Sequence, residues 1–481
     1  MKKKNIHSVG FVSLGCPKAL VDTEQIVNLL VSDDIKITPS FQEADLVVVN
    51  TCGFIDAAVK ESLDSIKEAK KKNGKVIVTG CLGAKKNSNG EPLITPEDLG
   101  VLEVTGPNNP IHTAKLIKEQ LNRKDRFDSE IKNKRKLSLK EETSSESPTT
   151  SSRNYLLTPS HYAYLKIAEG CNQSCTFCII PSMRGKLVSR KVSEIIQEAK
   201  NLVSNGVKEI IIISQDTGAY GTETKYQTEF VNGVPVKANL LGLVKELQKL
   251  KVWLRLHYIY PYKNIDLLIP LMEKKGNTND VIPSRQGVVP YIDMPFQHAH
   301  PDILKKMKRP GKMEDILTRL SSWRKICPDL TIRSTFIVGF PGETETHFDY
   351  LLQFLTEAKL DRVGCFTYSP VSGAKANEYP DHIPEEISLA RQSKLLLHQA
   401  KISENRLKRW NGKRVEVIIE GIDSEKEVLI GRGPADSPEI DGVVHVYPDQ
   451  DNVAHVEIGN FSLVEVIGNN EHDLIAKIVS N

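Results

Sequence analysis

Cys171, Cys175 and Cys178 are spaced C-x3-C-x2-C within Glu169-Gly170-Cys171-Asn172-Gln173-Ser174-Cys175-Thr176-Phe177-Cys178. Three closely spaced thiolates on one loop can hold three corners of a 4Fe-4S cube, leaving the fourth iron open to a cofactor or substrate. Zinc is the competing reading, although a structural zinc usually takes four closed ligands. Cys16, Cys52 and Cys81 are 36 and 29 residues apart, a spacing that fits no local metal motif. Each of them, however, comes within a few residues of the end of an apolar segment. Of the eight cysteines, Cys327 before Pro328 and Cys365 inside an apolar run read as small core residues.

The elements that must position these thiols can be read from periodicity. Ser8–Ser13, Asp45–Asn50 and Lys75–Thr79 are Val- and Ile-rich with little polar alternation, as buried parallel strands are. Helical spacing fills the gaps over Ala19–Leu30 and Ala57–Lys71. This alternation predicts a doubly wound parallel sheet over 1–121. The carboxyl ends of its strands share one edge, the usual ligand edge of an open α/β sheet. Cys16, Cys52 and Cys81 should therefore converge there on a second cluster with an open iron.

Residues 122–160 turn basic and then Ser-, Thr-, Glu- and Pro-rich, which predicts a flexible linker. Over 161–400 six further strands are expected: Tyr162–Ala168, Glu209–Ser214, Trp253–Tyr258, Val289–Met294, Thr331–Val338 and Arg362–Thr367. Helical patterns at Val192–Ser204, Glu314–Ile326 and Glu345–Ala358 lie between them. This is a partial, TIM-like βα barrel, with the C-x3-C-x2-C loop directly after its first strand, where such folds carry chemistry. Lys225–Asn239 and Gly276–Gln286 read as surface insertions. Residues 401–481 are expected to form a small OB-like β-barrel from Arg414–Ile419, Val428–Arg432, Val443–Val446, Val453–Ile458 and Leu463–Ile467. The overall class is α/β.

The C-x3-C-x2-C loop resembles the signature of the radical S-adenosyl-L-methionine (SAM) superfamily. Gly15-Cys16-Pro17-Lys18, Val21-Asp22-Thr23-Glu24, Asn50-Thr51-Cys52-Gly53-Phe54 and Gly80-Cys81-Leu82 look like the N-terminal domain of its methylthiotransferases, and the terminal barrel resembles a TRAM domain. Tyr164-Leu165-Lys166-Ile167-Ala168-Glu169-Gly170, Arg255-Leu256-His257-Tyr258 and Pro438-Glu439-Ile440-Asp441-Gly442 are similar to the branch acting on small-subunit ribosomal protein S-twelve rather than on tRNA adenosine. The resemblance implies two 4Fe-4S clusters. Cys171, Cys175 and Cys178 would hold the SAM-coordinated one, and Cys16, Cys52 and Cys81 the other. It also implies one-electron cleavage of SAM to methionine and a 5′-deoxyadenosyl radical, with methylthio transfer to the β-carbon of an aspartate. Gly339-Phe340-Pro341-Gly342-Glu343 resembles the family's SAM-contacting turn, so Gly339 and Gly342 are candidate cofactor contacts. Gln215, at another strand end, is a third. His257, His298 and His300 lie near strand ends and are given no role.

Composition narrows the partners. The chain of 481 residues has a formal charge of +3, so nothing global points to nucleic acid or membrane. Basic Met1–Lys4 precedes an apolar stretch broken by Gly10, Ser13 and Gly15, a poor secretory signal, and cytoplasmic location is expected. Residues 411–481 carry 14 acidic and 5 basic side chains, a net −9. Such a module should repel tRNA and attract a basic ribosomal protein, with Asp423, Glu425, Glu427, Asp436, Glu439 and Asp441 as its docking charges. A reductant protein is also expected; the sulfur donor is not legible. The rival class, a cysteine-rich module that binds RNA or zinc without turnover, would be a colourless protein, whereas iron–sulfur clusters would make it brown.

Overall fold

A computed structural model describes residues 7–87, 89–130, 153–273, 281–282, 287–448 and 457–479. In the N-terminal region, β1 (Ser8–Ser13), β2 (Lys36–Thr38), β3 (Leu46–Thr51), β4 (Val76–Gly80) and β5 (Glu103–Val104) form an all-parallel sheet in the order β2-β1-β3-β4-β5. Its helices are α1 (Pro17–Val31), α2 (Asp56–Lys72), α3 (Pro96–Leu99) and α4 (Pro110–Glu130). Period-two alternation divides the strands between two cores. Val9, Val48 and Ile77 pack with Ile26, Leu30 and Ile117 of α1 and α4, whereas Val47, Val49 and Val78 pack with Ile66 and Ala69 of α2. Helices on both faces make the sheet doubly wound, as its unbroken apolar strands require.

The central region opens with β6 (Tyr162–Lys166) and a short β7 (Ala168–Glu169), paired with β8 (Val188–Ser189). Next come β9 (Glu209–Ile213), a hairpin of β10 (Thr228–Val231) and β11 (Val234–Lys237), and β12 (Trp253–Leu256). β13 (Val281–Ile282), β14 (Gly287–Asp293), β15 (Thr331–Val338) and β16 (Arg362–Thr367) complete it. Strands β6, β9, β12, β14, β15 and β16 form one parallel sheet in chain order, a barrel left open between β6 and β16. Helices α5 (Ile180–Arg184), α6 (Val192–Ser204), α7 (Leu240–Leu247), α8 (Ile269–Met272), α9 (Pro301–Lys306), α10 (Met313–Ile326), α11 (Glu345–Ala358) and α12 (Glu385–Leu407) belong to this region. Cys327 and Cys365 are buried in its main apolar core, as expected. The insertion at Lys225–Asn239 holds the β10–β11 hairpin. The one at Gly276–Gln286 lies outside the described residues except for β13, which pairs with the terminal barrel.

That barrel closes through five strands: β17 (Arg414–Asp423), β18 (Val428–Arg432), β19 (Val444–Tyr447), β20 (Phe461–Asn469) and β21 (Leu474–Ile478). The expected strand Val453–Ile458 is not among them. Val453–Val456 lie outside the described residues, and Glu457–Ile458 are not strand. The fifth strand is β21, whose buried Leu474 and Ala476 alternate with more exposed Ile475 and Lys477. Among the described residues no helix is long and apolar enough to cross a membrane.

Two further expectations change. In the segment read as a linker, α4 runs to Glu130, and residues 131–152 lie outside the described residues. Arg153 is buried, 2.9 Å from Glu24 and 2.7 Å from Glu198, and the Asn28 side chain pairs with the backbone of Asn154 and Tyr155. This stretch straps the first sheet to the second region.

The acids of the terminal barrel are not one docking face. Asp436 pairs with Arg362, Asp441 with Arg333 (3.3 Å) and the Tyr291 hydroxyl (2.6 Å), and Glu439 accepts from the Tyr162 hydroxyl (3.0 Å). The β18–β19 loop thus closes the open barrel from the side where its strands begin. Glu209 sits at the centre of this seam, 2.6 Å from Arg255 and 2.5 Å from Arg432, with all three side chains at most 1% exposed. Both guanidiniums hold its carboxyl below the usual range despite burial. Glu209→Ala leaves two buried cations short of a partner and should cost about 3–5 kcal/mol, measurable by urea denaturation.

Candidate active site

The three distant cysteines end up together because three strand ends do. Cys16 caps the N-terminus of α1 beyond β1, where the helix dipole favours a thiolate. Cys52 directly follows β3, and Cys81 directly follows β4 with its N–H on Thr51 O at 3.0 Å. A Cβ on Gly15 would lie 3.5 Å from the Cys52 sulfur. A Cβ on Gly53 would lie 2.8 Å from Leu82 N and 2.9 Å from the Cys81 carbonyl carbon, so only glycine lets these two loops meet.

Cys171, Cys175 and Cys178 follow β7 on the single loop that enters α5. Local bonds shape it. The Asn172 carboxamide accepts from Leu187 N–H (3.0 Å), and the Thr176 hydroxyl donates to Lys306 O (2.9 Å). Gln173 donates to Asp216 (2.9 Å), whose carboxylate also accepts from the Tyr262 hydroxyl (2.7 Å), so the end of β9 holds the cysteine loop.

The donor set around both triads fits iron–sulfur clusters. The N–H groups of Gln173 and Ile180 point at the sulfurs of Cys171 and Cys178, each at 3.4 Å. Arg309 Nη1 lies 3.9 Å from the Cys175 sulfur, its guanidinium 4.1 Å from the Tyr260 ring centroid. Arg184 Nε donates to the Cys81 sulfur at 3.2 Å. N–H donors to sulfur are what stabilise cluster thiolates. Burial pushes the Cys81 and Cys171 thiols up to about 11 and Cys178 up to about 12, and nearby arginines oppose the rise. Such thiols stay neutral until a bound metal deprotonates them.

Arg184 is also the hinge between the triads. It sits six residues after Cys178 yet touches Cys81 of the other triad. It also pairs with Asp22 on α1 (3.0 Å) and with Glu169, two residues before Cys171 (3.0 Å). Lys166 bridges the same two acids, at 2.8 Å from Glu169. Ile179 and Met183 share an apolar cluster with Cys81. Neither Arg184 nor Arg309 was singled out from the sequence, because a lone arginine carries no spacing signal.

The other candidates separate. Gln215 donates to Glu169, next to the cysteine loop, while its carbonyl oxygen is buried without a partner. Gly339 and Gly342 take φ of +73° and +77°. A Cβ on Gly339 would lie 2.0 Å from Ser388 Oγ of α12, so packing against that helix already demands glycine. Buried His257 bonds Ser437 Oγ at 3.0 Å, and His300 caps α9 through Asp302 N–H, both structural contacts.

Residues 165–355 match the radical SAM superfamily, 8–97 the uncharacterized protein family UPF0004 and 412–479 the TRAM domain. Among solved structures, the radical S-adenosylmethionine methyltransferase TsrM from Kitasatospora setae superposes with a TM-score of 0.47 at 13% identity, covering 76% of this chain and 77% of that one. Among curated proteins, the ribosomal protein uS12 methylthiotransferase RimO of Burkholderia orbicola is 50% identical over 475 residues, 98% of this chain and 99% of that protein. The protein of the same name from Proteus mirabilis is 50% identical over 477 residues, 98% of each. With half of its residues shared over nearly its whole length, the chain belongs to the ribosomal protein uS12 methylthiotransferase family of radical SAM enzymes.

Proposed function

We propose that this protein transfers a methylthio group to the β-carbon of an aspartate of ribosomal protein uS12, with two 4Fe-4S clusters and SAM. Cys171, Cys175 and Cys178 hold the cluster that binds SAM; Cys16, Cys52 and Cys81 hold the cluster that handles sulfur. When bound, the cluster on Cys171, Cys175 and Cys178 would supply the electron that cleaves SAM, and the 5′-deoxyadenosyl fragment would remove hydrogen from an unactivated carbon. The chain's own residues do the rest. Asp216 and Gln173 fix the cysteine loop, Arg309 and Arg184 set positive charge against the sulfurs, and the Asp22–Lys166–Glu169–Arg184 network holds the two triads at one working distance. The observation that carries the reading is Arg184, a single side chain touching Cys81 while rooted beside Cys178. A cytoplasmic location and a reductant protein complete the proposal. The test is an anaerobic reaction with SAM, reductant, sulfide and either uS12 or tRNA, read by mass spectrometry. One methylthio group on uS12 is expected; product on tRNA alone overturns the substrate.

Docking of uS12 then falls to the acids that the seam leaves free. In the β17–β18 turn, Glu425 and Glu427 are exposed beside half-buried Asp423. Changing all three to Lys should weaken uS12 binding by roughly tenfold at low salt, since rim charges act mainly on association. The difference should shrink as ionic strength rises. A salt-independent affinity, equal in variant and wild type, contradicts docking at this turn.

A further inference from the structure

Lys18 lies two residues beyond Cys16, in the first turn of α1, and only 8% of it is exposed. Among the described residues its ammonium makes no ion pair. It rests 3.0 Å from the centroid of the Tyr258 ring, across the seam between the first sheet and the barrel. Tyr258 follows β12 at φ +58°, a left-handed conformation rare for a bulky residue, and its N–H is anchored on Asp293 at 3.0 Å. The backbone there is held against its own preference, with the ring beneath the ammonium.

The carboxylates around Lys18 are occupied by other cations. Asp293 is paired with Arg333 at 3.0 Å. Glu169 is paired with Lys166 at 2.8 Å and with Arg184 at 3.0 Å, and Asp22 with Arg184 at 3.0 Å. A cation withdrawn from water with a ring face beneath it and the Cys16 sulfur as its nearest charge partner is costly, and a ring is a weak substitute for a carboxylate. Leu20 and Val21, on the next residues of α1, pack on Tyr162, Tyr164, Ile211 and Ile213 of the barrel. The first turn of α1 therefore faces the barrel, with Cys16 at its head.

We propose that Lys18 binds the side-chain carboxylate of the substrate aspartate. This rests on the functional reading above and deepens it. The carboxylate carbon is bonded directly to the β-carbon that reacts. A cation beside Cys16, facing the barrel strands that lead to the other triad, is therefore placed to orient that carbon. It also rejects asparagine, whose neutral amide would leave the ammonium unpaired in a desolvated site. The bland alternative is that Lys18 only offsets the charge of the neighbouring Cys16 thiolate.

The experiment measures equilibrium binding of the iron- and SAM-loaded enzyme to uS12 and to uS12 with its target aspartate changed to asparagine. Wild type should prefer the aspartate form at least tenfold. Lys18→Met should bind the two forms alike, with unchanged iron content and cluster spectrum, and Lys18→Arg should keep the preference. A Lys18→Met enzyme that still prefers aspartate overturns the proposal. So does one whose cluster spectrum shifts while both affinities stay at wild-type values. Wild type that binds neither form overturns the substrate reading, and this inference with it.

Discussion

Replacing Cys16, Cys52 and Cys81 together with alanine abolishes methylthio transfer while reductive cleavage of SAM continues. The three thiols come from the ends of β1, β3 and β4. None lies on the loop after β7, whose shape depends on Asn172, Thr176 and the Gln173–Asp216 bond within the barrel. That loop therefore persists when the first triad is gone. Arg184 loses its sulfur contact but keeps Asp22 and Glu169, so the seam should hold. The variant should retain about half of the wild-type iron, because each triad ligates one cube independently. Chromatographic detection of 5′-deoxyadenosine, beside mass spectrometry of uS12, reads the two activities separately. Methylthio product from this variant would show that the first triad does not handle the sulfur.

The converse triple variant, with Cys171, Cys175 and Cys178 changed to alanine, loses both activities. Transfer to an unactivated carbon needs the radical, and no described residue outside this loop offers three clustered thiols beside Arg309 and Tyr260. Folding should survive. The loop is anchored by Cys171 N–H to Gly185 O (3.1 Å) and Thr176 N–H to Met307 O (3.2 Å), backbone bonds that alanine leaves intact. About half of the iron should again remain, now on Cys16, Cys52 and Cys81. Iron analysis with far-UV circular dichroism separates the outcomes. A folded protein that has lost all its iron would argue for one shared site rather than two.

The sequence by itself determined whatever depends on near neighbours along the chain. The C-x3-C-x2-C spacing is a local geometric fact. The apolar runs at β1, β3 and β4 placed Cys16, Cys52 and Cys81 at one sheet edge, because parallel strands end side by side. Six strand–helix units sufficed for an open barrel with its chemistry on the strand-end loops. The strand β21 was missed, because Leu474–Ile478 is a short run flanked by turn residues and its apolar Ile475 hides the alternation that the fold imposes. What only the tertiary structure decided is which charges meet. A count of acids over 411–481 adds one residue to the next. Pairing with Arg362 or Arg333, by contrast, depends on where the β18–β19 loop lands, and it took Asp436 and Asp441 out of any docking surface. Arg184 reaches Cys81 across 103 positions of chain, and Lys18 reaches Tyr258 across the seam. Coulomb and hydrogen-bond energies depend on separation in space and on the water excluded around them, and neither quantity is written in the order of the residues.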